Sequence, residues 1–336
     1  MNPEQRLADL GLVLPPLPAA GGNYLPFRRA GSLLFLSGVI STDATGVLTG
    51  VVGADRTIDE GRRAARCCAL TQLAVLRHAL GTLNCVEHIL SLNPDVVIQW
   101  GDKGDDIVAP LRNAGLKVIL LKYGTQEDLE AWIAIFGELL GKKAEADAVL
   151  AKMADDRALV EKTAAAHAST APRVMYLYNA PEIKVGADNS YMDFWMKLAG
   201  GKNVASGAGS GSSLGVTREQ VLGWDPEVLI LGNFEPTMPA DVYADPKWAS
   251  LSAVKNKRVY KAPIGGFSWD PPCNESNLMW LWVNSVFFPD VNHRLRERIR
   301  ETYRALYAYD VTDADVDRIL QMPANSGSAG YDAFRA

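Results

Sequence analysis

Cysteine and histidine are scarce in this 336-residue chain, four of each, and neither is spaced to hold a metal. No C-x-x-C occurs. Cys67 and Cys68 are adjacent in a helical stretch and so point to different faces, while Cys85 and Cys273 stand alone; all four read as reduced structural cysteines. His78, His88, His167 and His293 make no H-E-x-x-H. Long apolar runs are missing too, since the longest near the start, residues 33 to 36, is far too short to span a bilayer. The opening MNPEQRLADLGLVLPP has neither the basic n-region nor the apolar h-region of an export signal, so the chain as written is expected in the cytoplasm. Positive charge is not in excess either. A net charge of −5 does not favour nucleic acid or an anionic membrane as partner.

Catalytic motifs fail in turn. Residues 211 to 215, GSSLG, fit G-x-S-x-G, but a nucleophile elbow needs a strand directly before it, and SGAGS is a loop. The same loop misses G-x-G-x-x-G because Ser212 stands where the last glycine belongs. There is no Walker A motif and no carboxylate pair placed for acid–base work. The expectation is a protein without catalysis and without a cofactor.

What is present is ordinary globular composition, with 48% hydrophobic and 22% charged residues, in a chain long enough for two or three domains. Residues 1 to 32 read as loop and 33 to 41 as a strand. Residues 57 to 81 read as a helix, opened by a Thr57/Glu60 capping box and stopped by Gly81. From Val86 the pattern becomes helix, turn and strand. The strands fall at 95–100, 117–122, 173–178, 227–232 and 258–263, continuous and apolar as in a parallel sheet covered on both faces. Helices lie between most of them, which gives an α/β class. After a break near Gly141, residues 144 to 167 form a long helix of roughly 36 Å at ~1.5 Å per residue. It reads either as a spine between two lobes or as a solvated surface helix.

An internal repeat favours two lobes. VEHILSLNPDVVI (86–98) aligns without gaps to REQVLGWDPEVLI (218–230), matching Glu87 to Glu219, Pro94 to Pro226 and Ile98 to Ile230. Ligands in open parallel sheets sit beyond the carboxyl ends of the strands. Here those ends carry Trp100 and Lys103, Tyr123, Tyr178, Asn233 and Phe234, then Phe267 and Trp269. Aromatics at all five ends point to a cleft for a bulky or planar ligand, with Trp100, Tyr178 and Trp269 expected to line it. Glu87 and Glu219 serve as first-turn glutamates that favour a helix N-terminus. As a matched pair they also suit docking on a basic partner.

Residues 86 to 336 resemble the substrate-binding proteins of ABC importers for iron–siderophore complexes, haem and cobalamin. The words that carry the likeness are VEHILSLNPDVVIQWG, VGADNSYMDFWMKLAGGKNVA, VTREQVLGWDPEVLILG, PIGGFSWDPPCNESNLMWLW and YAYDVTDADVDRIL. Similar members include a molybdate/tungstate binder. Residues 7 to 83 resemble the first half of a Rid-type (reactive intermediate deaminase) protein, through LGLVLPPLPAAGGNYLPFRRAGSLLFLSG and GVVGADRTIDEGRRAARCCALTQLAVLRHALG. The later strands of that family, with its catalytic arginine, have no counterpart.

Together the resemblances imply two Rossmann-like lobes joined by a long helix, the first lobe incomplete, behind a partial Rid-like α+β segment. The boundaries are 1–84, 85–143, 144–168 and 169–336, with a seam near 82 to 86. The implied function is capture of a metal complex, a ferric siderophore first and haem or cobalamin next. Glu87 and Glu219 would then dock on arginines of the ABC permease, in a periplasmic or cell-surface setting. Alternatives are molybdate or tungstate binding, a Rid-like imine deaminase, and a chimera without function.

Overall fold

A helix that carries its own start and stop signals organises the first part of the chain. Thr57 Oγ1 accepts from the amide of Glu60, the Glu60 carboxylate accepts from the amide of Thr57, and Gly81 ends the helix in the left-handed region, with φ 81°. The sequence expects all three features. The computed structural model describes residues 3–17, 25–30, 33–43, 46–81, 83, 94–101, 108, 112 and 115–335. It divides into two compact units, Met1–Leu120 and Leu121–Ala336.

In the first unit the described elements are α1 (Pro3–Asp9), β1 (Phe27–Ala30), β2 (Leu33–Leu36), β3 (Thr42–Asp43), β4 (Gly46–Val47), α2 (Ile58–Leu80), β5 (Val97–Trp100) and β6 (Val118–Leu121). They pair two by two, β1 with β2, β3 with β4 and β5 with β6. A small core gathers Leu14, Ala74 and Leu83, with Leu7, Leu17, Leu70, Leu73 and Leu76 packed against it. Leu33, Phe35, Ile40, Val47, Val51 and Val52 remain exposed. The seam at 82 to 86 and most of the first repeat copy lie outside the described residues.

The second unit holds α3 (Gln126–Leu139), α4 (Lys143–Ala166), β7 (Arg173–Asn179), β8 (Lys184–Val185), α5 (Tyr191–Leu198), β9 (Lys202–Asn203), β10 (Leu214–Gly215) and α6 (Arg218–Trp224). It continues with β11 (Val228–Leu231), α7 (Pro239–Ala244), α8 (Ser252–Lys255), β12 (Val259–Lys261), α9 (Ser276–Phe287), α10 (Leu295–Tyr307) and α11 (Asp313–Ile319). One six-stranded sheet runs β10-β8-β7-β11-β12, with β9 also on β7. β9 and β11 pair parallel with β7 and β12 pairs parallel with β11, whereas β8 pairs antiparallel with both β7 and β10. The three strands expected here from sequence, β7, β11 and β12, are parallel as expected; the antiparallel β8 is an addition to them. Only residues 180 to 183 separate β7 from β8, too few for a crossover, so the chain can return only antiparallel.

Burial on both faces accounts for the unbroken apolar strands. Val174, Tyr176, Val228, Ile230 and Tyr260 enter one core, and Met175, Leu177, Leu229, Leu231 and Val259 the other, as the two-residue period of a strand requires. On the first face lies α9, buried at every position; most of its residues are apolar, as an interior helix requires, and its polar ones are paired, Asn277 with Asp156 and Asn284 with His293. The long helix expected from residue 144 is α4. Its buried residues Ala146, Met153, Asp156 and Val160 form one stripe, which packs on α3, α5 and α9. Thus α3 and α4 belong to the second unit.

Candidate functional site

Three loops leave the carboxyl ends of β7, β11 and β12, and each is held from beneath by a buried charge. Behind β11, the ammonium of Lys261 donates to the carbonyl oxygens of Gly232 (2.8 Å), Glu235 and Thr237 (3.4 Å). Burial pulls the pKa of Lys261 down, against the pull of Glu235 and Asp270. The Glu235 carboxylate accepts from the amides of Ala180 and Thr237 and from the Thr237 hydroxyl, tying the β7 loop to the β11 loop.

Asp270, wholly buried, accepts from Tyr176 Oη at 2.5 Å and from the Asn233 amide at 3.0 Å. Glu275, the residue directly before α9, accepts from the Gly266 amide (2.9 Å), Trp269 Nε1 (2.5 Å), Tyr303 Oη (2.8 Å) and Tyr307 Oη (2.7 Å). Burial, and then the Glu275 charge, drives the Tyr303 and Tyr307 phenols far above their ordinary range. Both therefore remain donors. Tyr176 is driven up by burial and by Asp270.

Above this floor the loops present apolar surface. Phe234 is 63% exposed and Phe267 51%, with Ile264 and Met238 also exposed. Phe267 stands at the tip of a tight turn in which the Gly265 amide donates to the Phe267 carbonyl at 2.9 Å and Ile264 bridges Ser268. Tyr123 joins from the start of the second unit. Its hydroxyl donates to the Pro272 carbonyl at 3.0 Å, its ring lies 5.6 Å from that of Trp132, and burial lifts its pKa to about 12.

The residues named from sequence thus separate. Phe234, Phe267 and Tyr123 reach the surface, and Tyr178 is half-buried at the end of β7. Trp269 does not line an opening. It is 0% exposed, because its indole N–H turns inward to Glu275. The side-chain amide of Asn233 is engaged in joining two loops, donating to the Pro263 carbonyl at 2.7 Å and reaching Asp270 at 3.4 Å. Glu219 is exposed in the first turn of α6, behind a Thr217/Gln220 capping box. Lys103, Glu87 and the side chain of Trp100 lie outside the described residues. Sequence reasoning missed Lys261, Glu235, Asp270, Glu275, Tyr303 and Tyr307. The one signal was the i, i+4 spacing of the two tyrosines, which places them on one helix face.

Glycine is required at residue 232. A Cβ there would lie 2.1 Å from Tyr176 Oη and 3.1 Å from an Asp270 oxygen. Gly232→Ala is expected to push Tyr176 off Asp270 and to cost about 2 kcal/mol, as overpacking does. Urea unfolding of the two proteins measures it, and equal midpoints would refute the crowding argument.

A cavity of about 410 Å³ lies elsewhere in the second unit, lined in part by Tyr260, His293, Arg296, Arg300 and Tyr331. Its arginines are matched by carboxylates, Arg296 by Asp313 and Asp317, and Arg300 by Asp313. Among the described residues there is no cluster of His, Cys, Asp or Glu able to hold a metal, and no helix long and apolar enough to cross a membrane.

Comparison with known proteins follows the same lines. The profile of a family described as "Periplasmic binding protein" matches residues 40–264, starting upstream of the seam placed near residues 82 to 86. A crystal structure of a periplasmic solute-binding protein from Veillonella parvula is 34% identical, with TM-score 0.65, over 72% of this chain and 74% of that one. The molybdate-binding protein MolA of Haemophilus influenzae is 24% identical over 68% of this chain and 73% of its own length. A cobalamin-binding protein of Halobacterium salinarum is 29% identical over 52% of this chain and 47% of its own length.

Proposed function

Because the chain belongs to the periplasmic binding protein family, we propose that it captures a metal complex for an ABC importer, a ferric siderophore first and haem or cobalamin next. The family is one of solute-binding proteins, and the chain is accordingly not an enzyme. The observation that carries the proposal is the exposed apolar surface of Phe234, Ile264 and Phe267, raised on loops pinned at the carboxyl ends of parallel strands. That is where open α/β sheets bind ligands, and a rigid aromatic surface suits a bulky ligand with an apolar face.

The alternative, molybdate or tungstate, asks for cationic or N–H donors turned outward. Lys261 instead turns its ammonium to three backbone carbonyls, which supports the bulkier ligand. In this reading Glu219, with Glu87, docks on a basic surface of the permease. Trp100 and Lys103 contribute from the first lobe. The first 84 residues keep their resemblance to a partial Rid-like segment, which the β1–β2 pair and the Thr57-capped helix support, while the binding-protein profile already begins at residue 40.

A thermal melt with ferrichrome, haemin, cyanocobalamin and molybdate tests the proposal. A ligand at ~100 times its dissociation constant adds about 2.7 kcal/mol, which raises the melting temperature of a unit this size by about 5–10 °C. The expected result is a rise with one of the first three that shrinks in a Phe234→Ala, Phe267→Ala double variant. A rise with molybdate alone, or an undiminished shift in the double variant, would sink the reading.

A further inference from the structure

We propose that Glu275 is a positioning residue for ligand capture, holding the loop of residues 264 to 269 so that Phe267 is presented in one fixed arrangement. The proposal rests on the reading of that surface as the ligand site.

Glu275 is 0% exposed. A carboxylate offers about four acceptor positions, and four donors converge on this one. They come from separate places in the chain. Gly266 and Trp269 lie on the loop itself, and Tyr303 and Tyr307 on α10. The Gly266 amide also donates to Tyr303 Oη at 2.8 Å, which closes the network.

The loop has collapsed onto the carboxylate. A Cβ at Gly265 would lie 2.0 Å from both Glu275 Oε2 and Tyr303 Oη, and one at Gly266 would lie 2.8 Å from Oε1 and 3.0 Å from Tyr307 Oη. Stability alone does not call for this. Well-packed apolar side chains of similar volume serve a core at least as well as a buried charge. What the carboxylate adds is direction, since each donor must aim at one oxygen. Phe267 is thereby ready before the ligand arrives, and ordering the loop does not subtract from affinity.

Glu275→Gln keeps the volume and one acceptor oxygen but turns an NH₂ toward two of the four donors. The chain is expected to fold but to melt several degrees lower, because two buried donors lose their acceptor, so binding is read well below that melt. Affinity for whichever of ferrichrome, haemin or cyanocobalamin binds the parent chain falls about tenfold, the scale of one hydrogen bond to a charged acceptor. In ¹⁵N-tryptophan-labelled protein the Trp269 indole resonance shifts. Val242→Ala, buried in the opposite core, serves as a control that loses stability without touching the loop, and is expected to bind as the parent does.

Equal loss of affinity in the control would overturn positioning in favour of a structural role. Unchanged affinity in Glu275→Gln would overturn it too, while leaving the site intact if Phe267→Ala still weakens binding. Binding unaffected by Phe267→Ala, or no binding of any probe, would overturn the site and the proposal together.

Discussion

An Asp156→Ala chain is expected to melt about 10 °C below its parent. Asp156 lies on the buried stripe of α4 and is 1% exposed. It accepts from Lys152 Nζ (2.8 and 2.9 Å), from Asn277 Nδ2 on α9 (2.8 Å) and from the Arg298 guanidinium on α10. One carboxylate thus joins the long helix to α9, which Glu275 directly precedes, and to α10, which carries Tyr303 and Tyr307. Its removal strands three donors. Breaking a buried pair costs about 3–5 kcal/mol, and the lower end applies here because Lys152 and Arg298 remain partly open to water. About 3 kcal/mol corresponds to roughly 10 °C for a unit of this size. Calorimetry measures it, and a drop under about 2 °C would show that these contacts contribute little.

Acid is expected to weaken the second unit through His293. The ring is 7% exposed, and its Nε2 lies 2.7 Å from Asn284 Oδ1. Burial, and then the charge of Arg298, lowers its pKa from 6.5 to about 4, against the opposing pull of Asp156. The folded chain therefore resists a proton that the unfolded chain accepts. Stability from this source is complete above pH 6.5, falls as pH drops through the window from 6.5 to 4, and changes no further below it. At about 1.4 kcal/mol per pKa unit the loss is about 3 kcal/mol. His293→Gln should remove that slope while leaving other acid effects in place. Urea unfolding at pH 7 and pH 4.5 reads the difference, and parallel losses in both proteins would refute the assignment.

The two cases share a cause with the site itself: charge in the interior. Sequence reasoning found the strands because their apolar runs are long and continuous. It found the helix at 58–80 because Thr57, Glu60 and Gly81 mark its ends locally. The helix from residue 143 was visible for the same reason, a break at Gly141 followed by uninterrupted helix formers. Aromatics at the strand ends were equally plain. Which of them would face outward was not. Trp269 and Phe267 are two residues apart in one loop, yet one is sealed against Glu275 and the other stands open.

Asp270 and Glu275 in WDPPCNES look like any surface carboxylates of an acidic chain. Nothing near them in sequence signals that Tyr176, Tyr303 and Tyr307, at distances of 28 to 94 residues, will close over them. Nor does LKYGT show that Tyr123 will reach Pro272, 149 residues on.

By itself the sequence determined the mixed α/β class of the fold, the order of its main elements and the lack of metal-spaced cysteines and histidines. Each of these depends on periodicity, capping or spacing, which act within a few residues. The tertiary structure alone decided that the sheet is mixed and that Asn233 and Trp269 serve as internal ties. It alone placed four buried charges beneath the presented surface. A buried charge is stable only when donors or acceptors from several elements meet it at once, and that meeting is a property of the packed chain.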